Sequence, residues 1–403
     1  MKIGVILDKE ITRDQRVLNE IKVLENHGHE IHVLCPDLLN IGLSGTIGKT
    51  KITRFKMSNR QREILFGIVN RFPLYNWIWQ KQIRRFIKNT GVEALHTHDL
   101  YMAKPVYTGS REYRLPITLD LHENFPAAIQ SYTWATTFPK SLLVVPKRWE
   151  KLEKRYLEYA DNIVVLCHSF QEELKQKYPS LAGKRFVIYP NVPDTEELLK
   201  HDSAPETVAK QDFIMFYFGA IGVRRGLITC FKALKELAPK YPDIKLLLIG
   251  PIDKGDKEVF KTYMDDPQIK EQIIYHKWKD LSEFPAFARQ SAIGLSPLIK
   301  NPQHDSGIAN KVYQYMLFET PVLVSDCTPQ LELIEETGGG MVFRNEDVGD
   351  LTEKIIYLYQ HPEERKRMGE NGKKAVLEKY NSVVAGNTLN TIYINDNTTF
   401  EKL

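Results

Sequence analysis

Several features that would assign this chain to a familiar class are absent from its sequence. Its 403 residues include four cysteines, Cys35, Cys167, Cys230 and Cys327, which stand singly and form no CxxC pair. This usage predicts a reduced, intracellular protein without a disulfide framework or a zinc site. The first residues, MKIGVILDKEITRDQ, become charged too early for a signal peptide, and no uncharged apolar run approaches a membrane span. We therefore expect a cytoplasmic protein.

Two common nucleotide-binding motifs are also missing. The loop after the first predicted strand reads LDKEITRDQRV, without the GxGxxG of dinucleotide-binding enzymes, and no GxxxxGK[ST] motif occurs. These absences disfavour a dinucleotide-dependent dehydrogenase and exclude a P-loop NTPase. His96 and His98 do not make a metal pair without a third ligand nearby, and we expect no metal ion there.

The pattern that is present predicts an α/β fold of two domains. With 42% apolar and 26% charged residues the composition is ordinary, and the chain is too long for one compact core. Continuous apolar runs such as KIGVIL and EIHVLC alternate with amphipathic segments such as DQRVLNEIKVLENHG, which predicts parallel sheets covered on both faces. The polar segment 191–212, with two prolines, is the best linker. We predict doubly wound domains over 1–192 and 193–382, with ligands at the carboxyl ends of their strands and in the cleft between them.

The second half repeats this alternation. Strands are predicted at FIMFYFGA, KLLLIGP, IIYHKW, AIGLSPL, TPVLVSD and GMVF. Helices are predicted at ITCFKALKELAPKYP and at DVGDLTEKIIYLYQHPEERKRMGE.

Positive charge is concentrated in residues 49–88. This stretch holds eleven Lys and Arg residues against the single acid Glu63, although the net charge of the chain is only +4. The aromatic residues interleaved with the basic ones are Phe55, Phe66, Phe72, Tyr75, Trp77, Trp79 and Phe86. One interpretation is a surface for an anionic membrane or an anionic acceptor. The other is a solvated helix face whose aromatic residues belong to the core, and the sequence favours neither.

Two segments of the second half have the features of anion-binding sites. In GAIGVRRGL a glycine-containing loop leads to Arg224 and Arg225 at a helix start, where charge-assisted bonds would add to free backbone N–H groups. The alternative is a surface arginine pair. In SGIANKVYQYMLFETPVLVSD, residues 306–326, Ser306 stands at the N-terminus of a helix of about three turns, with Lys311 one turn in. Together the two segments could hold a diphosphate.

The same two segments resemble the donor site of retaining, family-4-type glycosyltransferases of the GT-B fold. The blocks DQRVLNEIKVLENHGHEIHVL, HTHDLYMAKPVY, LDLHENF and EYADNIVVLCHSF with VIYPNVPD follow that family's order, and together they cover nearly the whole chain. The resemblance implies two Rossmann-like domains facing across a cleft, a nucleotide-sugar bound mainly by the C-terminal one and an acceptor bound mainly by the N-terminal one. It also implies that the segment 383–403 crosses back to the first domain. It implies no metal ion or other cofactor, and no DxD motif for a metal is evident.

The resemblance assigns roles to individual residues. Arg225 and Lys311 would grip the diphosphate and neutralise the leaving group, and His122 would lie near the reacting sugar and the acceptor. Residues expected to bind the donor are Gly222, Ser306, Gly307, Ile308, Ala309, Asn310 and Gln314. Residues expected on the acceptor side are His98, Asp99 and Glu123. Helix capping is the alternative for Asp99 and Glu123, and a buried structural role is the alternative for His122.

The chain departs from the family at three positions. Ser306 and Gln314 stand where the frequent pattern has two glutamates eight residues apart, and Ala220 replaces an arginine often found there. An amide at 314 can still accept from one ribose hydroxyl, but losing the charged bond would cost about 1 kcal/mol of donor binding.

The function implied is a metal-independent, retaining hexosyl- or related transferase. It would move a sugar from a nucleotide-diphosphate donor, most commonly a UDP-sugar, to a glycan or lipid-linked acceptor during bacterial-type synthesis of a surface polysaccharide or glycolipid. Its location would be cytoplasmic, peripheral on the inner face of the cell membrane. One alternative is a non-catalytic binding or partner subunit, suggested by the two missing acids; another is a sugar-nucleotide epimerase, which would need paired carboxylates. No nucleic-acid partner is predicted, and the sequence identifies neither the sugar nor the acceptor.

Overall fold

The computed structural model describes residues 1–132, 135, 144–202 and 213–394. The chain divides into two compact units, which we call unit 1 (Met1–Pro190 with Ser382–Leu403) and unit 2 (Asn191–Asn381). The sequence analysis placed these boundaries at 192/193 and 382/383. Part of the predicted linker, 203–212, and the end of the predicted crossing segment, 395–403, lie outside the described residues.

Unit 1 is built on an eight-stranded sheet with the order β3-β4-β2-β1-β5-β6-β7-β8. Its strands are Lys2–Ile6 (β1), Glu30–Asp37 (β2), Ser44–Ile47 (β3), Thr50–Lys56 (β4), Ala94–His98 (β5), Ile117–Asp120 (β6), Asn162–Val165 (β7) and Arg185–Ile188 (β8). Neighbouring strands are parallel, as predicted, except that β3 pairs antiparallel with β4 at the sheet edge. The helices are Gln15–Asn26 (α1), Asn59–Gly67 (α2), Leu74–Thr90 (α3), Ala103–Ser110 (α4), Phe125–Ser131 (α5), Arg148–Glu158 (α6) and His168–Lys177 (α7).

Helix α1 shows how local sequence sets these elements. The Asp14 side chain accepts a hydrogen bond from the Val17 N–H and so caps the first turn. Val17, Ile21 and Leu24 recur at helical spacing and are buried. Gly28 follows the helix with a φ of 82°, a conformation that glycine adopts without strain.

Unit 2 is built on a six-stranded parallel sheet with the order β11-β10-β9-β12-β13-β14. Its strands are Phe213–Phe218 (β9), Ile244–Ile249 (β10), Ile273–His276 (β11), Ile293–Ser296 (β12), Val322–Ser325 (β13) and Gly340–Phe343 (β14). Each predicted strand is matched by one of them, and β10 begins one residue before its predicted start. The helices are Thr195–Lys200 (α8), Leu227–Leu237 (α9), Lys257–Met264 (α10), Phe284–Gln290 (α11), Asn310–Leu317 (α12), Thr328–Thr337 (α13), Val348–Gln360 (α14) and Pro362–Glu378 (α15).

Two helix predictions in unit 2 need correction. The segment 347–370, predicted as one helix, is divided between α14 and α15, because Pro362 has no N–H to continue the first helix and restricts the residue before it. Helix α12 has eight residues, a little over two turns rather than three.

The chain returns to unit 1 after α15. Helix Ser382–Asn390 (α16) packs against α1 so closely that a Cβ atom on Gly386 would overlap the Val23 side chain. Beyond it, the Tyr393 hydroxyl lies 2.7 Å from Nδ1 of His96 in β5. Helix α16 and Tyr393 therefore belong to the core of unit 1.

Strand order reverses once in each sheet, and the predicted functional residues follow these reversals. In unit 1 the order changes direction between β1 and β5, and His98 and Asp99 stand at the end of β5. In unit 2 it changes between β9 and β12; the loop after β9 carries Arg225, and the loop after β12 carries residues 306–309 and leads into α12 with Lys311. Open parallel sheets bind ligands at such reversals, beyond the carboxyl ends of the strands.

Candidate functional site

Lys311 and Arg225 form the positive centre of unit 2. The Nζ atom of Lys311, in the first turn of α12, lies 3.4 Å from the centre of the Tyr217 ring. Burial, followed by the charge of Arg225, lowers the pKa of Lys311 well below its usual 10.5. The structure thus brings together the two residues predicted to hold a diphosphate. An anion bound between them would relieve the repulsion between the two cations.

Unused backbone donors precede α12. Ala309 is the N-cap of this helix, and no side chain caps the first turn. Within the described part of the chain, the N–H groups of Gly307, Ile308 and Ala309 donate to no other backbone carbonyl. Together with the positive end of the helix dipole, these donors suit a phosphate or sugar oxygen.

The sequence predicted Ser306 at the N-terminus of the helix, but in the structure Ser306 lies before the helix. Its N–H and its hydroxyl both donate to the Gln303 carbonyl oxygen, at 3.3 and 2.7 Å, and the residue is buried. The backbone forms a short 3-10 turn, His304–Ser306, before the extended Gly307. The N–H of Ser306 is therefore already used by the turn, and only the donors that follow it are available for a ligand.

The arginine segment also differs from expectation. Helix α9 begins at Leu227, so Arg224 and Arg225 lie in a preceding 3-10 turn rather than at a helix start. The Val223 N–H donates to Asp256 at 2.8 Å, and the N–H groups of Arg225 and Gly226 donate within the turn. The N–H groups of Val223, Arg225 and Gly226 are therefore already used, and an anion at this place would be bound chiefly by the arginine side chains.

Gly222, which was expected to let the loop approach phosphates, has a packing role of its own. A Cβ atom at this position would lie 2.6 Å from an oxygen of Asp253, closer than two such atoms approach. The carboxylates of Asp253 and Asp256 both border the glycine. A larger residue at 222 would therefore have to displace the Asp253 carboxylate, whether or not a phosphate binds.

Asn310 and Gln314, the other polar residues on this face of α12, differ in whether their side chains are already hydrogen-bonded. The Asn310 side chain donates to the Asn191 carbonyl oxygen at 3.0 Å, which fixes α12 to the chain segment that begins unit 2. The Gln314 side chain is buried and makes no hydrogen bond to any residue that the structure describes. Gln314 is thus free to bond a ribose hydroxyl, whereas Asn310 serves the fold.

His304 is a residue that the sequence analysis did not select. Its Nδ1 atom lies 2.6 Å from the Ile299 carbonyl oxygen, which can only accept, so Nδ1 carries the proton. Its Nε2 atom is buried and has no partner among the described residues. Burial lowers the pKa of His304 to about 4, and the charges of Arg225 and Arg224 add to the effect. The neutral Nε2 is an acceptor that a ligand hydroxyl could use, and its place in the loop before α12 was the only signal in the sequence.

In unit 1, His122 is joined to His98 and Asp99. The Nε2 atom of His122 lies 3.0 Å from Nδ1 of His98, and its Nδ1 atom lies 3.9 Å from an oxygen of Asp99. Burial lowers the pKa of both histidines, so one neutral ring donates to the other. His122 is less buried than His98, with 13% of its side chain exposed. The three predicted residues therefore form one group, with His122 on its accessible side.

The side chain of Asp99 does not cap the turn that follows it. Asp99 precedes the 3-10 turn Leu100–Met102 without a side-chain capping bond. Instead it accepts from the Tyr101 hydroxyl at 3.1 Å and lies 3.6 Å from the Lys9 ammonium. Its φ of 70° is rare for a residue other than glycine, and such strain is concentrated at functional sites. These contacts exclude the capping alternative for this residue.

Glu123 does not cap a helix either. The Asn124 side chain accepts from the Ala127 N–H at 3.3 Å and caps α5. Glu123 accepts from the Tyr132 hydroxyl at 3.0 Å. Its carboxylate is therefore held at the surface of unit 1 next to His122 in the chain.

A buried ion network lies behind these histidines and was not predicted. Arg16 donates to both oxygens of Asp120 at 3.0 Å, and its Nε lies 3.1 Å from Glu20. Burial raises the pKa of Asp120, but the charges of Arg16 and His122 and a hydrogen bond with Glu20 together lower it overall. Burial and the charge of Asp120 raise the pKa of Glu20. Ligand atoms of Glu20, His98, Asp120 and His122 lie within 4.8 Å of one another, a spacing compatible with a metal ion. Arg16 already supplies a cation to both carboxylates of this group.

The stretch 49–88 contains both buried and exposed aromatic residues. Tyr75, Trp79 and Phe86 are buried, as expected for core residues, whereas Phe72 and Trp77 are 56% and 60% exposed. The stretch is also not one helix face, because it spans β4, α2 and α3. Arg54 is buried and donates to Glu10, so it takes no part in a basic surface. No helix in the described ranges is both long enough and apolar enough to cross a bilayer.

Two family models match the chain, one for each half. The model for Glycosyltransferase Family 4 matches residues 15–197. The model for Glycosyl transferases group 1 matches residues 200–375. Together the two matches span nearly all of both units.

Curated relatives are distant. The capsular polysaccharide biosynthesis glycosyltransferase CapM of Staphylococcus aureus is 22% identical over 182 residues, which are 45% of this chain and 46% of that protein. The alpha-D-kanosaminyltransferase of Streptomyces kanamyceticus is 21% identical over 340 residues, 81% of this chain and 84% of that protein. The chain thus spans about half the length of the first relative and most of the second.

Solved structures share the fold along the whole chain. The sucrose-phosphate synthase of Thermosynechococcus elongatus has a TM-score of 0.76 at 16% identity and covers 98% of both chains. The structure described as "Trehalose-6-phosphate from E. coli bound with UDP-2-fluoro glucose" has a TM-score of 0.72 at 13% identity and covers 97% of this chain and 98% of that chain. Both similarities place the two parallel-sheet units within one fold type.

Proposed function

Because the chain belongs to the family-4-type glycosyltransferases of the GT-B fold, we propose that it is a retaining glycosyltransferase. The donor is a nucleoside-diphosphate sugar, most simply a UDP-sugar, and the acceptor is a glycan or a lipid-linked sugar. The biological context is synthesis of a surface polysaccharide or glycolipid. The relative named for capsular polysaccharide biosynthesis and the structure solved with a UDP-sugar analogue support these assignments.

The proposal rests chiefly on the Lys311–Arg225 pair in unit 2. Two cations held close together in a buried setting are costly unless an anion joins them, and the unused N–H groups of Gly307 to Ala309 lie just before Lys311 in the chain. In our proposal the two side chains bind the diphosphate and stabilise the charge that it gains when it leaves the sugar. Gln314 accepts from a ribose hydroxyl, and His304 Nε2 accepts from a hydroxyl of the sugar.

Unit 1 supplies the acceptor side of the proposed reaction. The neutral His122 can hydrogen-bond the reacting sugar or polarise the acceptor hydroxyl, and Asp99 and Glu123 can orient that hydroxyl. Departure of the diphosphate, with the hydroxyl attacking the same face of the sugar, requires no enzymatic nucleophile. In this proposal the transfer needs no metal ion, because Arg225 and Lys311 carry the positive charge. A peripheral position at the inner membrane face is part of the proposal, supported by the exposed Trp77 and the basic side chains of 49–88.

A donor panel tests the proposal. UDP-, GDP- and ADP-sugars are titrated calorimetrically into the wild type, Lys311→Ala and the control Lys261→Ala, whose side chain is exposed in unit 2. We expect one donor to bind wild type and control alike, and to release its nucleoside diphosphate on incubation. Lys311→Ala should lose at least tenfold in affinity, because a buried charge-assisted contact contributes about 1.5–3 kcal/mol. If no donor binds at millimolar concentration, the transferase proposal fails and the non-catalytic alternative replaces it.

A further inference from the structure

A groove of about 680 Å³ opens in unit 1 beside the proposed acceptor residues. One end is lined by charged side chains, among them Lys9, Asp99 and Glu123. The rest of the lining is mainly apolar, with Ile64 and Ile129 among its side chains, and we call it the apolar end; Arg62, which is paired with Asp8, and Glu63 also belong to the lining. The groove is therefore amphipathic along its length.

The charged end lies beside the residues proposed to bind the acceptor. Asp99 lines the groove and is 3.9 Å from Nδ1 of His122, and Glu123 follows His122 in the chain. A molecule that fills the groove would thus bring its polar end to the residues assigned to the acceptor hydroxyl.

Apart from the exposed carboxylate of Glu63, the apolar end offers almost nothing that a sugar could bond. Ile64, Phe66, Ile68, Ile129 and Val144 contribute no polar side-chain atoms. The hydroxyls of two tyrosines in the lining already donate to carboxylates at the charged end, Tyr101 to Asp99 and Tyr132 to Glu123. Sugar hydroxyls moved from water into this end would lose hydrogen bonds without replacement, whereas a hydrocarbon chain would gain from leaving water.

The apolar end is partly exposed to solvent, and the chain that follows it exposes further apolar side chains. Helix α2 has no buried residue, and Ile64, which lines the groove, is 55% exposed. The chain that follows α2 exposes Phe72, Leu74 and Trp77 by 56%, 45% and 60%. Large side chains of this kind, gathered in one region of the chain, are typical of membrane or partner contacts.

The positive charge near these apolar side chains favours an anionic membrane as their partner. From Trp77, a single face of α3 continues through the exposed basic residues Lys81, Arg84, Arg85 and Lys88 at helical spacing. An interfacial helix with aromatic and basic residues is attracted to anionic lipid headgroups while its apolar side chains enter the acyl boundary.

We propose that the groove binds the hydrocarbon chain of an amphipathic, lipid-linked acceptor. The head of this acceptor places its hydroxyl at Asp99, Glu123 and His122, and its chain runs past Ile64 towards the bilayer surface. The inference rests on the proposed function. Of the two acceptor classes named there, a glycan and a lipid-linked sugar, it retains only the lipid-linked sugar.

Alkyl glucosides of increasing chain length test the groove. Hexyl, octyl and decyl glucoside, each below its critical micelle concentration, are titrated calorimetrically into the full chain, into Ile64→Glu and into Leu377→Glu. Leu377 is an exposed apolar residue of unit 2 and serves as the matched control. We expect wild type and control to bind about fifteenfold more tightly for each two methylenes added, which corresponds to about 0.8 kcal/mol per buried methylene. Ile64→Glu should lose most of this dependence, because a charge in the groove wall opposes the chain.

Two results would overturn the inference: equal affinities for hexyl and decyl glucoside in the wild type, or an unchanged dependence in Ile64→Glu. The same samples are titrated with the nucleotide-sugars of the donor panel. Donor binding without chain-length dependence rejects the groove alone. Chain-length dependence without donor binding retains the groove and rejects the proposed transferase.

Discussion

The polar side chains on the helix of the proposed donor site differ in the contacts that they already make. Lys311 rests on the Tyr217 ring, Asn310 is fixed by the Asn191 carbonyl, and Gln314 has no hydrogen-bond partner in the described part of the chain. These three residues share one short helix, so their sequence spacing alone does not separate them. The contact that each one makes decides whether it can serve a ligand.

The first residue-scale prediction concerns Gln314. We expect Gln314→Glu to bind the donor about fivefold more tightly, because a carboxylate accepts from ribose hydroxyls more strongly than an amide, by about 1 kcal/mol. Calorimetry with the donor that the wild type selects measures the change. The control Gln268→Glu adds the same charge at an exposed position of unit 2 and should leave affinity within twofold. Unchanged or weaker binding by Gln314→Glu would remove this residue from the ribose contact.

At the scale of an element, the turn before α9 depends on one glycine. Gly226 has a φ of 75°, and a Cβ atom at this position would coincide with the Pro297 carbonyl oxygen at the end of β12. The turn that carries Arg225 therefore packs directly against the end of β12, the strand before the loop and helix that carry Lys311. Backbone packing, and not a hydrogen bond from a side chain, sets this approach.

We expect Gly226→Ala to destabilise unit 2 by on the order of 3 kcal/mol, from left-handed strain and overpacking together. Urea unfolding of the purified protein measures the loss. Gly255→Ala is the control, because a Cβ atom there meets nothing within 4 Å, and its stability should change by about 0.5 kcal/mol at most. Equal stabilities for the two variants would contradict the packing described.

For the whole molecule, acid sensitivity follows from histidines buried in their neutral form. The pKa of His96 in unit 1 and of His304 in unit 2 is lowered by burial to about 4, against an ordinary value of 6.5. Between these two values the unfolded chain binds more protons than the folded one, so stability falls as the pH falls from 6.5 to 4. Asp8 acts in the opposite direction, because burial raises its pKa to about 6 and favours the folded state on acidification.

A comparison with His304→Gln isolates one of these contributions. Between pH 7 and pH 5 we expect the wild type to lose about 2 kcal/mol of unfolding free energy relative to the variant, since only the wild type has an imidazole to protonate at 304. Urea titrations of both proteins at the two pH values measure the difference, and Asp8 cancels because both retain it. A constant difference between the two proteins would show that His304 is protonated as easily in the fold as outside it.

The sequence by itself determined the two α/β units, the identity of every strand in unit 2 and the candidate residues at the carboxyl ends of the strands. This was possible because apolar periodicity and the signals that start and stop helices are local in the sequence, so they can be recognised without knowing which distant residues lie nearby. It could not assign Asp99, Glu123 and Asn310, whose roles depend on which distant group each side chain meets. The ion network of Arg16, the unpartnered Nε2 of His304 and the groove beside Ile64 were decided only by tertiary structure. Each of them is a property of burial and proximity between residues far apart in the chain, which no local pattern encodes.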